Sequence, residues 1–200
     1  MQVTVIAATQ SPMDVIGIAA GMCYGKPEPS PKRVRRCAKA GHMSVFEHAS
    51  ATFMVEGISR ACLAQLTRHR IASYSVMSQR YCKVDNRKMW YVTPPSFQGT
   101  ELESLYRIEM YRGLDEYEYA ISRGVKPEDA RFLLPEATKT SLVMTINARS
   151  LQNLFTLRLD AHAQWEIREL AVTIERELKC RCDGQWPELI RILREARNGD

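Results

Sequence analysis

Arg68, His69 and Arg70 stand in a row, and Arg80 follows ten positions later with Ser73, Ser75 and Ser78 in between. Guanidinium forks beside hydroxyl donors are what an oxyanion such as phosphate requires, since together they can saturate its lone pairs. Ahead of this stretch Ile58, Ala61, Cys62 and Leu66 recur at helical spacing, and after it the hydroxyl-rich run to Tyr81 has an extended pattern. The basic tripeptide therefore falls at the C-terminus of a helix expected over residues 59–68. Cations at that end also complement the helix dipole, so an anion site and a solvated cationic helix end both remain open on residue chemistry.

Two further stretches could do chemistry. In Gly41-His42-Met43-Ser44-Val45-Phe46-Glu47-His48, a glycine stop precedes a Ser-x-x-Glu capping box, predicting a helix start at Ser44. Free backbone N–H groups at such a start attract the pyrophosphate of a dinucleotide. In Asn147-Ala148-Arg149-Ser150-Leu151-Gln152-Asn153-Leu154-Phe155-Thr156-Leu157-Arg158, two arginines nine residues apart on one helix face different sides. Each could hold a separate ligand, or form an ion pair with a carboxylate such as Glu166 or Asp160.

The elements that must position these groups follow from pattern. Residues 2–8 alternate as a strand, and Ser11-Pro12-Met13-Asp14 resembles a capping box opening a helix to Met22. A proline-rich connector, residues 26–31, precedes the basic run Lys32 to Arg36. Strands are expected at 51–55, 88–93 and 139–147, with helices at 101–123, at 127–131, through Asn147 to Arg158, from Ala163 to Leu178 and at 186–196. In the longest of these Leu102, Tyr106, Met110, Leu114, Tyr117 and Ile121 share a face suited to a core or a subunit interface.

Composition bounds the rest. Two hundred residues, 45% hydrophobic and 26% charged, suit one globular domain, residues 1–200, with no apolar run long enough for a membrane span. The N-terminal residues lack signal-peptide character, so the six cysteines are expected as reduced thiols in a cytoplasmic protein. Cys180-Arg181-Cys182 has the wrong spacing for half a zinc site, and no metal is expected. The net charge of +5 fits polyanionic ligands. The Lys32 to Arg36 run has no interleaved aromatics, which favours a solvated face over a nucleic-acid patch.

The spelling carries more than the chemistry alone. Arg68-His69-Arg70, then seven residues, then Ser78 and Arg80, resembles the signature of the flavin-dependent thymidylate synthases. The segment with His42, Ser44, Phe46, Glu47 and His48 also matches, as do Asn147-x-Arg149-Ser150-Leu151 and the run His162-Ala163-Gln164-Trp165-Glu166-Ile167. The resemblance implies an α/β (mixed α+β) fold, a single domain with a central sheet and long helices, assembled as a homotetramer with shared active sites. It implies FAD-dependent methylation of dUMP to dTMP, with 5,10-methylenetetrahydrofolate as one-carbon donor and NADPH as reductant.

Residue by residue, the resemblance assigns FAD binding to His42, Ser44, Glu47, Arg68, His69, Arg70, Ile71, Asn147, Arg149 and Asn153. It assigns dUMP binding to Gln65, Arg68, Ser78, Gln79, Arg80, Arg131 and Arg158, with Arg80 and Arg131 suited to the phosphate. Arg158 is the expected catalytic residue, its charge activating the pyrimidine. Ser75-Val76 departs from the Asn-Glu found in many members, which removes a carboxylate near the substrate. Two alternatives stay open: flavin-dependent one-carbon transfer to another pyrimidine nucleotide, and a non-catalytic nucleic-acid-binding protein.

Overall fold

The computed structural model describes residues 1–84, 89–181 and 184–196. Four strands, β1 (Gln2–Ala8), β2 (Ser50–Ser59), β3 (Ala72–Val76) and β4 (Lys139–Asn147), form one sheet in the order β1-β2-β4-β3. Among the described residues eight α-helices accompany it: α1 (Pro12–Met22), α2 (Pro31–Lys39), α3 (Arg60–Leu66), α4 (Leu102–Ser122), α5 (Pro127–Ala130), α6 (Ala148–Arg158), α7 (Trp165–Arg181) and α8 (Trp186–Glu195). The fold is mixed α/β, as expected. Two compact units divide the chain: Met1–Glu56, Gln65–Ser75 and Val143–Asp200 make the first, and Gly57–Ala64 with Val76–Leu142 the second.

In the first unit β1 runs antiparallel to β2, from Gln2 opposite Glu56 to Ala8 opposite Ala51, with an irregularity between Val5 and Ala7. β4 alternates strictly between buried and half-buried positions, which places Met144 and Ile146 in the core with Ala51, Phe53 and Val55 of β2. Helix α7 packs on β1, and α6 and α8 pack on α7. Leu151, Leu154 and Phe155 of α6 are buried, with Ile167, Leu170, Ile174 and Leu178 of α7 and Leu189, Ile190 and Leu193 of α8. Each such side chain contributes about 1.5–3 kcal/mol of burial. That makes α6 a rigid platform for whatever its outer face presents.

The proline-rich connector lies close on α1. A β-carbon at Gly21 would stand 2.0 Å from the Lys26 carbonyl oxygen, so only glycine permits this approach. Arg33 then fastens the turn: its Nη1 donates to the carbonyls of Gly17, Lys26 and Glu28 at 2.9, 3.1 and 3.2 Å. Arg35 reaches Glu188 at 2.9 Å. The expected solvated basic run is thus partly structural, with two of its guanidinium groups engaged within the protein.

The second unit has its own core of Trp90, Tyr91, Met110, Leu114, Tyr117 and Ala130. Edge-to-face packing of Trp90 on Tyr91, with centroids 5.2 Å apart, and a 2.7 Å bond from the Tyr106 hydroxyl to the Val92 carbonyl seat α4 on the segment before it. The strand expected at 88–93 reduces to a single bridge between Tyr91 and Thr138, because Pro94 and Pro95 supply no N–H to continue a ladder. Lys88 lies outside the described residues, as does Cys182 of the Cys180-Arg181-Cys182 run. Among the described residues no helix is long and apolar enough to cross a membrane.

Three helix starts differ from expectation. Ser11 makes no side-chain cap, and the Asp14 N–H instead meets the Gln185 side chain at 3.0 Å. The Ser44 box does not form either: residues Met43–His48 are a 3₁₀ turn with His42 at its head, too short and tight for the expected helix N-terminus. Helix α7 begins at Trp165 because the Gln164 side chain caps it, accepting from Glu166 and Ile167 N–H at 2.9 and 3.1 Å.

Candidate functional site

Helix α6 organises the principal site. Asn147 is its N-cap, the side-chain oxygen accepting from Ser150 N–H at 2.9 Å, and the Ala148 N–H is bonded to the Ala49 carbonyl at 2.8 Å. The helix start is thereby pinned to the chain just after Met43–His48. Residues 149, 152 and 153 follow one another at helical spacing, so Arg149, Gln152 and Asn153 share the face turned away from the core. Arg149 forms an ion pair with Glu47 across this junction, both side chains about half exposed.

A cleft of about 430 Å³ lies on that face, lined by Glu47, by Arg68, His69, Arg70 and Ile71, and by Arg149, Ser150, Gln152 and Asn153. Three guanidinium groups and one carboxylate make it cationic on balance, while Ile71, 74% exposed, and the aliphatic stems of the arginines offer apolar surface. The expected flavin residues are gathered here except for His42 and Ser44, which are exposed outside the cleft, and Asn147, whose side chain is committed to capping. Ser150 and Gln152 had no place in the expected set, although Gln152 was within reach of pattern reasoning, being one turn on from Arg149.

The tripeptide itself sits beyond α3, which ends at Leu66 and not at Arg68. His69 N–H closes the turn onto the Leu66 carbonyl at 3.0 Å, and the Tyr74 hydroxyl is shared between the carbonyls of Leu66 and His69 at 3.0 and 2.9 Å. Burial pushes the Tyr74 phenol up to about 12, so it stays a donor at any ordinary pH. Only His69 of the three points inward, at 5% exposure; Arg68 and Arg70 are exposed.

Arg158, the last residue of α6, donates from Nε to His69 Nε2 at 3.0 Å and from Nη2 to the Gln65 carbonyl at 3.2 Å. Its hydrogen bonds thus go to an imidazole and a backbone carbonyl, while Asp160 holds His162 at 2.9 Å. Desolvation first, and the Arg158 charge second, lower the His69 pKa to about 4, leaving a neutral imidazole able to accept. Arg149 and Arg158 lie on opposite sides of α6, about 13 Å apart along its axis.

The remaining expected substrate residues, Ser78, Gln79, Arg80 and Arg131, belong to the second unit. There Arg80 Nε meets the Glu128 carboxylate at 3.0 Å while Arg131 Nε donates to the Glu128 carbonyl at 2.9 Å, so both arginines converge on α5. Ser78 Oγ accepts from Arg80 N–H at 3.3 Å and shapes the turn. Arg60, absent from the expected set, stands near Arg131: burial and then the Arg131 charge lower its pKa, and its Nη2 donates to the Met77 carbonyl at 3.1 Å. Nothing in its sequence setting marked it out. Ser75 and Val76 end β3, Ser75 exposed and Val76 half-buried.

Residues 4–182 match the family described as thymidylate synthase complementing protein. The chain is 40% identical over 197 residues to a flavin-dependent thymidylate synthase of Pyrococcus furiosus, covering 92% of this chain and 81% of that one. It is 40% identical over 203 residues to the same enzyme of Geobacter sulfurreducens, covering 96% and 86%. Among solved structures, the flavin-dependent thymidylate synthase ThyX from Helicobacter pylori, complexed with FAD and dUMP, superposes with a TM-score of 0.77 at 26% identity, covering 98% of this chain and 99% of the other.

Proposed function

The chain belongs to the flavin-dependent thymidylate synthases, the thymidylate synthase complementing protein family, and from that premise we propose that it converts dUMP to dTMP with FAD, drawing the one-carbon unit from 5,10-methylenetetrahydrofolate and reducing equivalents from NADPH. The observation that carries this reading to particular residues is the cationic cleft, because Arg68, Arg70 and Arg149 converge where a dinucleotide's pyrophosphate needs neutralising. Glu47 and Asn153 add an acceptor and an amide for the cofactor's polar edges. FAD, when bound, supplies the redox chemistry. The protein's part is placement and charge.

In this reading Arg158 lies beside a uracil carbonyl and stabilises the enolate-like negative charge on the ring that makes its C5 carbon nucleophilic; no cysteine is needed as nucleophile. Gln65 and Arg68 contact the nucleotide with it. Ser78, Gln79, Arg80 and Arg131 take the phosphate, and the Glu128 carboxylate holds Arg80 until a phosphate competes for it. His42 and Ser44 contribute to FAD from the outer segment, and Asn147 through the helix start it caps. Residues 1–200 act as one catalytic domain in a homotetramer whose active sites are shared between subunits. Its place is the cytoplasm, in keeping with Cys23, Cys37, Cys82 and Cys180 being free thiols.

The test is direct. Purified protein supplied with FAD, dUMP, methylenetetrahydrofolate and NADPH should turn yellow and release a nucleotide with the mass of dTMP. Methylation of another pyrimidine nucleotide in preference to dUMP would move the assignment to a paralogous activity, and absence of any flavin binding would remove it.

A further inference from the structure

His69 sits in the cleft wall, yet its ring nitrogen Nε2 is occupied by Arg158. A guanidinium has only donors, so the imidazole must present a lone pair at Nε2 and carry its proton on Nδ1. Arg158 could have been given a carboxylate, the commoner partner, which would neutralise it. A neutral imidazole holds the fork in place and leaves its positive charge undiminished. Its second anchor, the Gln65 carbonyl, is likewise uncharged.

We infer that His69 is a positioning residue for Arg158: it fixes the guanidinium through Nε2 as a neutral acceptor, so that the full cationic charge is presented to a ligand at the end of α6. This rests on the proposed role of Arg158 and extends it, since a residue expected to touch only the cofactor is tied to the group expected to activate the substrate. The surrounding geometry supports the arrangement. The Tyr74 hydroxyl from β3 clamps the His69 carbonyl and the last turn of α3, so the imidazole is held by its backbone as well as by packing. Arg68 and Arg70 flank it in sequence, while Arg149 from α6 and Glu47 line the same cleft. With three arginines and Arg158 around it, protonation of the ring would add a fifth positive charge, and the one nearby carboxylate is already paired with Arg149.

The experiment reads the imidazole itself. Only four histidines occur in the chain, so nitrogen-15 spectra of the full protein can assign His69 by its absence in His69→Gln. At neutral pH His69 should show the Nδ1–H tautomer and titrate well below ordinary histidine. In Arg158→Ala its titration should move up, because the opposing charge is gone, and the tautomer preference should relax toward Nε2–H. A ring that is Nε2–H or charged at neutral pH, or one that is unaltered by Arg158→Ala, would overturn the inference. A kinetic arm separates positioning from a purely cofactor role. His69→Gln, which keeps an acceptor, should retain part of the turnover. At saturating FAD, His69→Leu should still accept electrons from NADPH yet lose methyl transfer on the order of a hundredfold. Loss of FAD binding and methyl transfer in parallel would assign His69 to the cofactor alone. Normal thymidylate formation by Arg158→Ala would instead mark failure of the underlying reading, independently of the spectra.

Discussion

Arg158 and His69 show how a residue's environment selects its chemistry. A guanidinium offers only donors, and burial together with the Arg158 charge keeps the His69 ring neutral near pH 7, so that it can accept. If Arg158 stabilises ring charge chiefly in the transition state, Arg158→Ala should lower turnover by about a hundredfold or more while dUMP binding weakens far less. Arg158→Lys should recover only part, a point charge being no substitute for a planar fork. Steady-state kinetics with separate measurement of dUMP affinity decides it, and an equal loss in both would mean simple binding. The same pair predicts a pH effect on stability. His69 falls from an ordinary 6.5 to about 4 on folding, so in acid the unfolded chain takes up the proton first. The stability that His69 contributes is complete above about pH 6.5 and drains away as the pH descends through 4. Urea unfolding across that range should show a steeper decline for the wild type than for His69→Gln. Identical slopes would show that the ring is not held neutral.

At the scale of elements, α6 acts as a two-ended ruler. Its N-cap, Asn147, sets where Arg149 begins, and its last residue is Arg158; the buried face of Leu151, Leu154 and Phe155 keeps the two ends in fixed relation. Asn147→Ala should therefore cost about 1 kcal/mol of stability and weaken FAD binding as well, by loosening the turn that presents Arg149. Asn147→Asp should preserve the cap. Denaturation midpoints beside flavin titrations provide the check, and an unchanged midpoint in Asn147→Ala would show that the side chain serves something other than the helix start. The tripeptide loop illustrates the complementary device, in which one Tyr74 hydroxyl holds two carbonyls so that a segment without helix or strand can still present three side chains in fixed directions.

For the molecule as a whole, the second unit leaves apolar surface on α4. Met110, Leu114 and Tyr117 face its core, but Leu105 and Ile108 are 55% and 60% exposed, with Tyr111 one further turn along at 43%. In the proposed tetramer this stripe is covered by another copy. Light scattering should report four chains, and Ile108→Glu should lower both the assembled fraction and thymidylate formation together. A fully active monomer in dilute solution would end the proposal of shared sites.

What the sequence determined by itself was the periodic and the spelled. The strand β4, the stripe of α4 from Tyr106 to Ile121 and the motif letters from His42 to Ile167 were legible because burial imposes period 2 or 3.6, and because the flavin-dependent thymidylate synthase pattern is local in sequence; Leu102, at the head of the expected stripe, is exposed. Tertiary structure decided the partners. Ser44 and Glu47 spell a capping box, yet Glu47 is drawn to Arg149, more than one hundred residues away, and the turn tightens to 3₁₀. Arg33 reads as one charge in a basic run and folds back onto the Gly17 carbonyl of α1 and two carbonyls of its own connector. Asn147, assigned to the flavin by resemblance, also caps α6. His69 and Arg158 are 89 residues apart in the chain and 3.0 Å apart in space. A side chain's hydrogen bonds go to whatever donor or acceptor folding brings within about 3 Å, and for these residues that neighbour came from a distant part of the chain.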